Sequence, residues 1–299
     1  MTIFNFGSIN IDLFYTVPHF PDAGETLTTL SHQRTLGGKG ANQSIALAKA
    51  GAKVIHIGAI NADDAWIRSE MQAVGVDTSQ IQDSALATGH AIVAVNSDGE
   101  NQIMLCPSAN RDITMEAALA VLKTAGTNDW VLLQNETNGA KEFAEAARQQ
   151  GLKLAYSAAP FEAEIVLELL PHTDLLVVNE GEAKALETTL GKPASEIGLA
   201  HLVITRGGDG AEYFGEAGHL HQPAFDVDVV DTTGAGDCFF GYLLAAIADQ
   251  PLTDESLADA LASASAAAAL QITAAGASLA IPHRSEVDAF LESYRAKTS

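Results

Sequence analysis

The stretch DTTGAGDCFFGYLLAAI, residues 231–247, places an aspartate directly behind a glycine-rich turn and in front of a strongly apolar run. Glycines let consecutive backbone N–H groups face the same side and form a cradle for an anion. A helix that begins there adds free N–H groups and the positive end of its dipole. The stretch therefore predicts a phosphate-binding turn formed by Gly234, Ala235 and Gly236, followed by a buried helix.

Asp237 falls in the first turn of this predicted helix, beside the same cradle. A carboxylate repels a bound phosphate, but it is well suited to act as a general base that takes a proton from an attacking hydroxyl. The alternative is an ordinary aspartate at a helix start, which stabilises the helix by about 1 kcal/mol. The turn is not a Walker loop, because no Lys-Ser/Thr pair follows its glycines.

A second glycine cluster, GGKGANQSIALAKAGA at residues 37–52, opens another predicted helix that ends at Gly51. Gly38, Lys39 and Asn42 are its candidate binding residues. A glycine-rich loop can approach a polyhydroxyl ligand closely, and the Asn42 amide offers both a donor and an acceptor. The alternative is an ordinary helix start with a solvated lysine.

Composition narrows the class of protein. The chain has 299 residues, 47% of them hydrophobic, and a net charge of −22 from 38 acidic and 16 basic residues. The length suffices for one large domain, and the acidic charge argues against nucleic acid as a partner. Two cysteines, Cys106 and Cys238, indicate reduced thiols rather than a disulfide framework. We recognise no signal peptide and no membrane-spanning run, so we expect a cytoplasmic protein without a membrane partner.

Strands and helices alternate along the middle of the chain. Short apolar segments between residues 129 and 208 alternate with helical ones, which predicts βαβ units and a parallel sheet covered on both faces. Residues 90–106 and 210–225 predict two hairpins. The chain closes with an amphipathic helix, for which Ser285 is the expected N-cap.

The two glycine clusters occur in a fixed order, with GSINID (7–12), VVNEGEA (177–183) and ITRGGDG (204–210) before or between them. Together they resemble the ribokinase-like, or phosphofructokinase-B, family of sugar kinases over essentially the whole chain. The resemblance implies a doubly wound three-layer α/β/α sandwich in a single domain of residues 1–299. It also implies a small β-sheet lid at about residues 11–36 and 87–107, and a homodimer that forms through this lid.

The resemblance also assigns roles to individual residues. Asp237 is implied to be the catalytic base, with the N–H groups of the glycine turn as the anion hole. The implied sugar-binding residues are Asn10, Asp12, Gly38, Lys39, Asn42 and Glu136. The implied ATP-binding residues are Asn179, Thr205, Gly207, Gly210 and Ser265.

The same resemblance implies sites for cations. Glu182 is expected to organise Mg²⁺ through water, although Asn179 and Glu182 also match an ordinary helix capping box. Asp231 and Thr233 match two positions of a monovalent cation site, which makes K⁺ a further candidate cofactor. Ala280 departs from the family pattern there, because it replaces a serine and removes one side-chain oxygen.

The expected reaction transfers a phosphoryl group from ATP to the primary hydroxyl of a small sugar, with D-ribose giving ribose 5-phosphate as the first expectation. Fructose, 2-keto-3-deoxygluconate and a nucleoside are alternative substrates. A nucleotide- or sugar-binding regulator on the same fold is the non-enzymatic alternative, and the intact Asp237 argues against it. A dinucleotide-binding oxidoreductase is disfavoured, because FGSINID lacks the Gly-x-Gly-x-x-Gly pattern after the first strand.

Overall fold

The computed structural model describes residues 1–216, 218–248 and 253–298. The strands are β1 (Thr2–Phe6), β2 (Asn10–Thr16), β3 (Ser31–Gly37), β4 (Lys53–Asn61), β5 (Asp77–Ser84), β6 (Gly89–Val95), β7 (Asn101–Cys106), β8 (Trp130–Leu133), β9 (Lys153–Ser157), β10 (Leu175–Asn179), β11 (His201–Thr205), β12 (Ala211–Gly215) and β13 (Gly218–Gln222). The helices are α1 (Lys39–Lys49), α2 (Trp66–Ala73), α3 (Met115–Leu122), α4 (Ala140–Gln149), α5 (Ala163–Leu169), α6 (Glu180–Leu190), α7 (Ala235–Ala248), α8 (Asp254–Gln271) and α9 (Arg284–Thr298).

The larger sheet is mainly parallel and lies in the middle of the molecule. In the described part of the chain its nine strands run in the order β13-β12-β11-β10-β9-β8-β1-β4-β5. Strands β12 and β13 are antiparallel to their neighbours and form the second predicted hairpin. Residue 217 lies outside the described residues. The remaining neighbours pair in parallel, as the alternation of strands and helices predicts.

Helices cover both faces of this sheet and give the molecule three layers. One core cluster joins the sheet to α1, α2, α7, α8 and α9, and the other joins it to α3, α4, α5 and α6. Side chains of one strand alternate between the two clusters, as the pleat requires. In β8, for example, Trp130 and Leu132 face the first cluster, whereas Val131 and Leu133 face the second. The predicted three-layer α/β/α sandwich is confirmed.

A second, smaller sheet stands beside the sandwich. Its four strands run in the order β3-β2-β6-β7, and β6 and β7 form the first predicted hairpin, with His90 opposite Cys106. The strands fall largely within the predicted lid ranges of 11–36 and 87–107. That this sheet acts as a lid stays a prediction.

Close backbone approaches at glycines bring the two glycine clusters together. A Cβ atom on Gly40 would lie 2.5 Å from backbone atoms of Gly7 and Ser8, so only glycine lets the start of α1 rest on the end of β1. A Cβ atom on Gly241 would lie 2.4 Å from Ala46 Cβ, so the absence of a side chain lets α7 pack directly on α1. Helices α1 and α7 therefore pack side by side, and α1 begins at the carboxyl end of β1.

One predicted detail is wrong. Helix α9 begins at Arg284, so Ser285 lies inside its first turn and is not the N-cap. The Glu286 side chain instead accepts a hydrogen bond of 2.6 Å from the backbone N–H of His283, and this bond shifts the helix start toward the N-terminus. Within the described residues, no helix is both long enough and apolar enough to span a membrane.

Candidate active site

Asp237 lies in the first turn of α7 and is 8% exposed. Two amides from α1 hold its carboxylate. Asn42 Nδ2 donates to Asp237 Oδ2 at 3.2 Å, and Gln43 Nε2 donates to Asp237 Oδ1 at 2.9 Å. The structure thus joins the two glycine clusters through hydrogen bonds between residues almost 200 positions apart. Sequence reasoning selected Asn42 and Asp237 but missed Gln43.

The glycine turn before α7 contains one residue in a conformation that favours glycine. Gly234 has φ +77°, in the left-handed region that favours glycine. The N–H of Cys238 donates to Gly234 O at 2.9 Å and closes the first helical turn. The N–H of Ala235 donates to Thr232 O at 3.2 Å, so this member of the predicted anion hole is engaged within the turn itself.

A cleft of about 940 Å³ opens in front of Asp237. Most of the predicted nucleotide-side residues line it together with the glycine turn. From the predicted set it contains Lys39, Asn179, Glu182, Thr205, Gly207, Gly210, Gly234, Ala235, Gly236, Asp237 and Ser265. The remaining predicted residues lie on the sugar side or in the loop before the turn.

Glu136 and Lys39, two of the residues predicted to bind the sugar, are joined by a hydrogen bond. Glu136 Oε2 accepts hydrogen bonds from Ser8 Oγ and from the backbone N–H of Lys39, the latter at 3.3 Å. Burial raises the pKa of the Glu136 carboxyl. The nearby Asp237 carboxylate outweighs burial and raises the pKa of the Lys39 ammonium. The Lys39 ammonium group therefore keeps its positive charge among the carboxyl groups of Asp237, Glu136 and Glu182.

Asn10 begins β2 and is fixed in one orientation by a residue that the sequence analysis missed. Asn110 Oδ1 accepts a hydrogen bond of 2.9 Å from the backbone N–H of Ile9, which can only donate. The Asn110 Nδ2 group must then face Asn10, and it donates to Asn10 Oδ1 at 2.7 Å. The Nδ2 group of Asn10 remains as the donor that this side chain can offer to a ligand.

Asp12 lies two residues further along β2, directly over Gly37. A Cβ atom on Gly37 would lie 2.0 Å from Asp12 Oδ2, so the glycine makes room for the carboxylate. Burial, followed by the negative charge of Glu136, raises the pKa of Asp12 to about 6. Asn10 and Asp12 thus offer a donor and an acceptor on one strand.

Asn179 and Glu182 form a complete capping box at the start of α6. Asn179 Oδ1 accepts from the N–H of Glu182 at 2.8 Å, and Glu182 Oε2 accepts from the N–H of Asn179 at 2.8 Å. Both residues also line the cleft, and burial raises the pKa of Glu182. Glu182 fits a role toward hydrated Mg²⁺, because a carboxylate can accept hydrogen bonds from metal-bound water. The described residues contain no group of three or more histidine, cysteine or acidic side chains placed to hold a metal ion.

Asp231 ties the loop before α7 to the loop after α8. Its Oδ1 accepts from the N–H of Thr233 at 2.9 Å, and its Oδ2 accepts from the N–H of Gly276 at 2.9 Å. Although partial burial works in the opposite direction, these hydrogen bonds lower the pKa of Asp231. Each carboxylate oxygen accepts from one backbone N–H and keeps a further lone pair, whereas Ala280 offers no side-chain oxygen. The loop therefore offers a monovalent cation one side-chain oxygen fewer than the resemblance implies.

Comparisons with known proteins show the family and the fold. The sequence profile of the pfkB family carbohydrate kinases matches residues 2–284. The chain is 35% identical over 302 residues to the ribokinase of Haemophilus influenzae, an alignment that covers 96% of this chain and 97% of that protein. The solved ribokinase from Thermotoga maritima has a TM-score of 0.85 at 30% identity and covers 97% of this chain and 99% of its own. The Arabidopsis thaliana ribokinase complexed with ribose and ATP has a TM-score of 0.83 at 27% identity, with coverages of 97% and 98%.

Proposed function

The chain belongs to the pfkB family of carbohydrate kinases and is a phosphotransferase that acts on a sugar hydroxyl, and we propose that it converts ATP and D-ribose into ADP and ribose 5-phosphate. The observation that carries the proposal is the position of Asp237. This carboxylate lies where the nucleotide cleft, the helix dipole of α7 and the sugar-side residues meet. The relatives named ribokinase support ribose as the sugar.

Asp237 is proposed to accept the proton of the primary hydroxyl as that oxygen attacks the γ-phosphorus of ATP. Its two amide partners donate to it, so the carboxylate presents acceptor lone pairs rather than a proton. The N–H groups of Gly234, Ala235 and Gly236, with the positive end of the α7 dipole, would stabilise the charge on the transferring group. For Ala235 this requires its 3.2 Å bond to Thr232 to open.

The sugar is proposed to bind between β2 and the start of α1. Asn10 donates to one hydroxyl, while Asp12 and Glu136 accept from others. The buried Asn42 Oδ1 atom has no hydrogen-bond partner among the described residues, which is the property of a group that pairs with a ligand. Gly38 allows close approach, since its φ of +91° and the nearby backbone of Asn10 exclude a side chain. Lys39 would offset the negative charge that gathers as ATP binds.

ATP is proposed to occupy the large cleft. Thr205, Gly207 and Gly210 would lie beside the phosphates or the ribose of the nucleotide, and Ser265 beside the adenine. Asn179 would act through the capping box, which holds Glu182 in place. Mg²⁺, when bound, would neutralise charge on the ATP phosphate oxygens. Glu182 would hold the hydrated Mg²⁺ ion through its water ligands. No step is assigned to K⁺, because Ala280 lacks the side-chain oxygen that the resemblance implies for this loop.

We also propose a quaternary structure and a cellular location. The small sheet is proposed to close over the sugar and exclude water, and to form a homodimer. Its edge strand β7 is exposed along its length and carries the apolar side chains Ile103, Met104 and Leu105, which suit a contact between two copies. A cytoplasmic location, without nucleic acid or membrane partners, is proposed from the acidic charge and the two free thiols.

The test is ADP release from ATP and Mg²⁺ across a panel that contains D-ribose, fructose, 2-keto-3-deoxygluconate and nucleosides. Asp237→Asn is the control, and its turnover should fall by about 100-fold or more while ATP still binds. Turnover only with another sugar would retain the chemistry and refute ribose. Retained turnover in Asp237→Asn would remove this residue from the mechanism. Binding of ATP without turnover of any member of the panel would instead favour a regulator.

A further inference from the structure

A chain of buried amide side chains leads from Asp237 into the protein interior. Gln43, whose Nε2 donates to Asp237, accepts a hydrogen bond at its Oε1 from Gln134 Nε2 at 2.7 Å. Gln134 Nε2 also donates to Asn5 Oδ1 at 3.0 Å, and Asn5 Nδ2 donates to Gly40 O at 2.8 Å. Gln43, Gln134 and Asn5 are at most 1% exposed. None of these three was selected from the sequence as a site residue.

The direction of this chain is set from both of its ends. An amide group can turn over and exchange its oxygen and nitrogen, so a fixed partner must decide which atom faces which neighbour. The carbonyl of Gly40 can only accept, which turns the NH₂ group of Asn5 toward it and the oxygen of Asn5 toward Gln134. Gln134 must then donate to both of its neighbours, which leaves the NH₂ group of Gln43 facing Asp237. The carboxylate of Asp237, which can only accept, requires the same direction.

A second set of hydrogen bonds, through Ser44 and His56, also fixes the orientation of Asn5 at the end of the chain away from Asp237. Asn5 Nδ2 also donates to Ser44 Oγ at 2.8 Å, and Ser44 Oγ lies 2.8 Å from His56 Nδ1. The other ring nitrogen of His56 lies 3.1 Å from the carbonyl of Gly7, an acceptor, and therefore carries the hydrogen. Burial lowers the pKa of His56 to about 4, so the ring is neutral and its Nδ1 accepts from Ser44. The Ser44 hydroxyl thus accepts from Asn5, in agreement with the same direction.

We propose that Gln43 is a positioning residue that holds the Asp237 carboxylate in the orientation of a general base, and that Gln134 and Asn5 hold Gln43. The inference rests on the proposed role of Asp237. Asn42 also reaches this carboxylate, but it is a sugar-side residue whose longer bond of 3.2 Å can be exchanged when a ligand binds. Gln43 is fully buried and bonded at both ends of its amide, so it can hold one carboxylate oxygen throughout the reaction.

The first variant is Gln43→Met, which keeps the length of the side chain and removes the donor. The carboxylate can then rotate, and kcat should fall by about 10- to 100-fold, the range of a hydrogen bond to a charged group. The KM values for sugar and ATP should change by less than about threefold, because Gln43 contacts neither ligand in the proposed arrangement. A loss confined to kcat is not expected from general damage to the binding sites.

The second variant, Gln43→Glu, gives a readout that a merely structural role would not move. A carboxylate at residue 43 faces Asp237 and disfavours its ionised form. The acidic limb of the kcat/KM pH profile should therefore shift upward by about one pH unit or more. The other charged groups near Asp237 are Lys39, Glu136 and Glu182, and both variants leave them unchanged.

Ile45→Ala is the matched control, because Ile45 is a buried apolar residue on the same helix. It should lower stability yet keep kcat within about twofold and leave the pH limb in place. Gln134→Leu removes the residue that orients Gln43 but does not contact Asp237, so it should also lower kcat. If the Gln43 variants do not fold, this variant tests the positioning role in their place. Wild-type kcat in the Gln43 variants, or an equal loss in Ile45→Ala, would overturn the positioning role. A wild-type protein that phosphorylates none of the sugars would refute the proposed function instead.

Discussion

Replacing Asp12 with asparagine should make the protein more stable at neutral pH, although it removes a proposed sugar-binding group. The carboxyl has a pKa of about 6 in the folded protein, against 3.8 without the fold, because burial and Glu136 disfavour its charge. The folded state therefore binds more protons than the unfolded state between these values, and the group lowers stability as pH rises through this window. The destabilisation is complete about one pH unit above the folded-state pKa.

The size of the effect follows from the shift. About two pH units at 1.36 kcal/mol each correspond to at most about 3 kcal/mol at pH 7.5, falling to about half of that at pH 5. For a chain of this length, 3 kcal/mol corresponds to a rise in Tm of about 5 °C. Asparagine keeps the shape of the side chain above Gly37, so the difference in stability reflects mainly the loss of the charge.

Urea unfolding followed by tryptophan fluorescence, at pH 5.0 and pH 7.5, measures this difference. The control is Asp98→Asn, because Asp98 is exposed in the turn between β6 and β7 on the same small sheet. It removes one negative charge from a protein of net charge −22 without relieving a buried one, so it isolates the contribution of burial. An Asp12→Asn protein no more stable than this control at pH 7.5, or equally stabilised at both pH values, would refute the reasoning. Its KM for ribose should rise in either case if Asp12 binds the sugar.

Three further predictions concern the elements around the site. Gly241→Ala should separate α7 from α1, since the new Cβ atom would lie 2.4 Å from Ala46 Cβ. We expect the free energy of unfolding in urea to fall by about 1–3 kcal/mol and kcat to fall as well. Wild-type values for both would contradict the close approach. Glu182→Gln keeps a side-chain acceptor for the capping box and removes the charge, so helix content by circular dichroism should stay the same while the Mg²⁺ concentration for half-maximal rate rises several-fold; an unchanged Mg²⁺ dependence would exclude Glu182 from the metal site. Exchanging NaCl for KCl should change kcat by less than about twofold, whereas Ala280→Ser should increase the response to K⁺; strong activation of the wild-type enzyme would show that the loop binds K⁺ without the missing oxygen.

The two glycine clusters could be recognised in the sequence because each is local. A left-handed Gly234, a helix start at Ala235 and a left-handed Gly51 two residues after the end of α1 at Lys49 are all local features. The contact between the clusters could not be predicted in the same way. It depends on the packing of Gly241 against Ala46, which no local pattern encodes.

The same limit applies to the orienting residues. Asn110 fixes Asn10 from 100 positions away, and its own segment carries no motif. Gln43 lies inside a recognised motif, but its role depends on Gln134, 91 positions further along the chain. The capping box of Asn179 and Glu182 was predictable because both partners lie within one helical turn. Residues proposed to contact ligands were thus easier to select than residues that orient them.

The charges around Asp237 give a reason for such orienting residues. Asp237, Glu136 and Glu182 all act on the ammonium group of Lys39, Glu136 also acts on Asp12, and burial raises the pKa of Asp12 and of Glu136. Like charges at close range favour rotation of the carboxylates away from one another or protonation of one of them. In the proposed arrangement, sugar hydroxyls would relieve this conflict, because each can donate to a desolvated carboxylate. If Asp237 is the base, it must stay ionised and aligned before the sugar binds, and it then needs donors supplied by the protein. Gln43 is such a donor, and its own amide is held by Gln134.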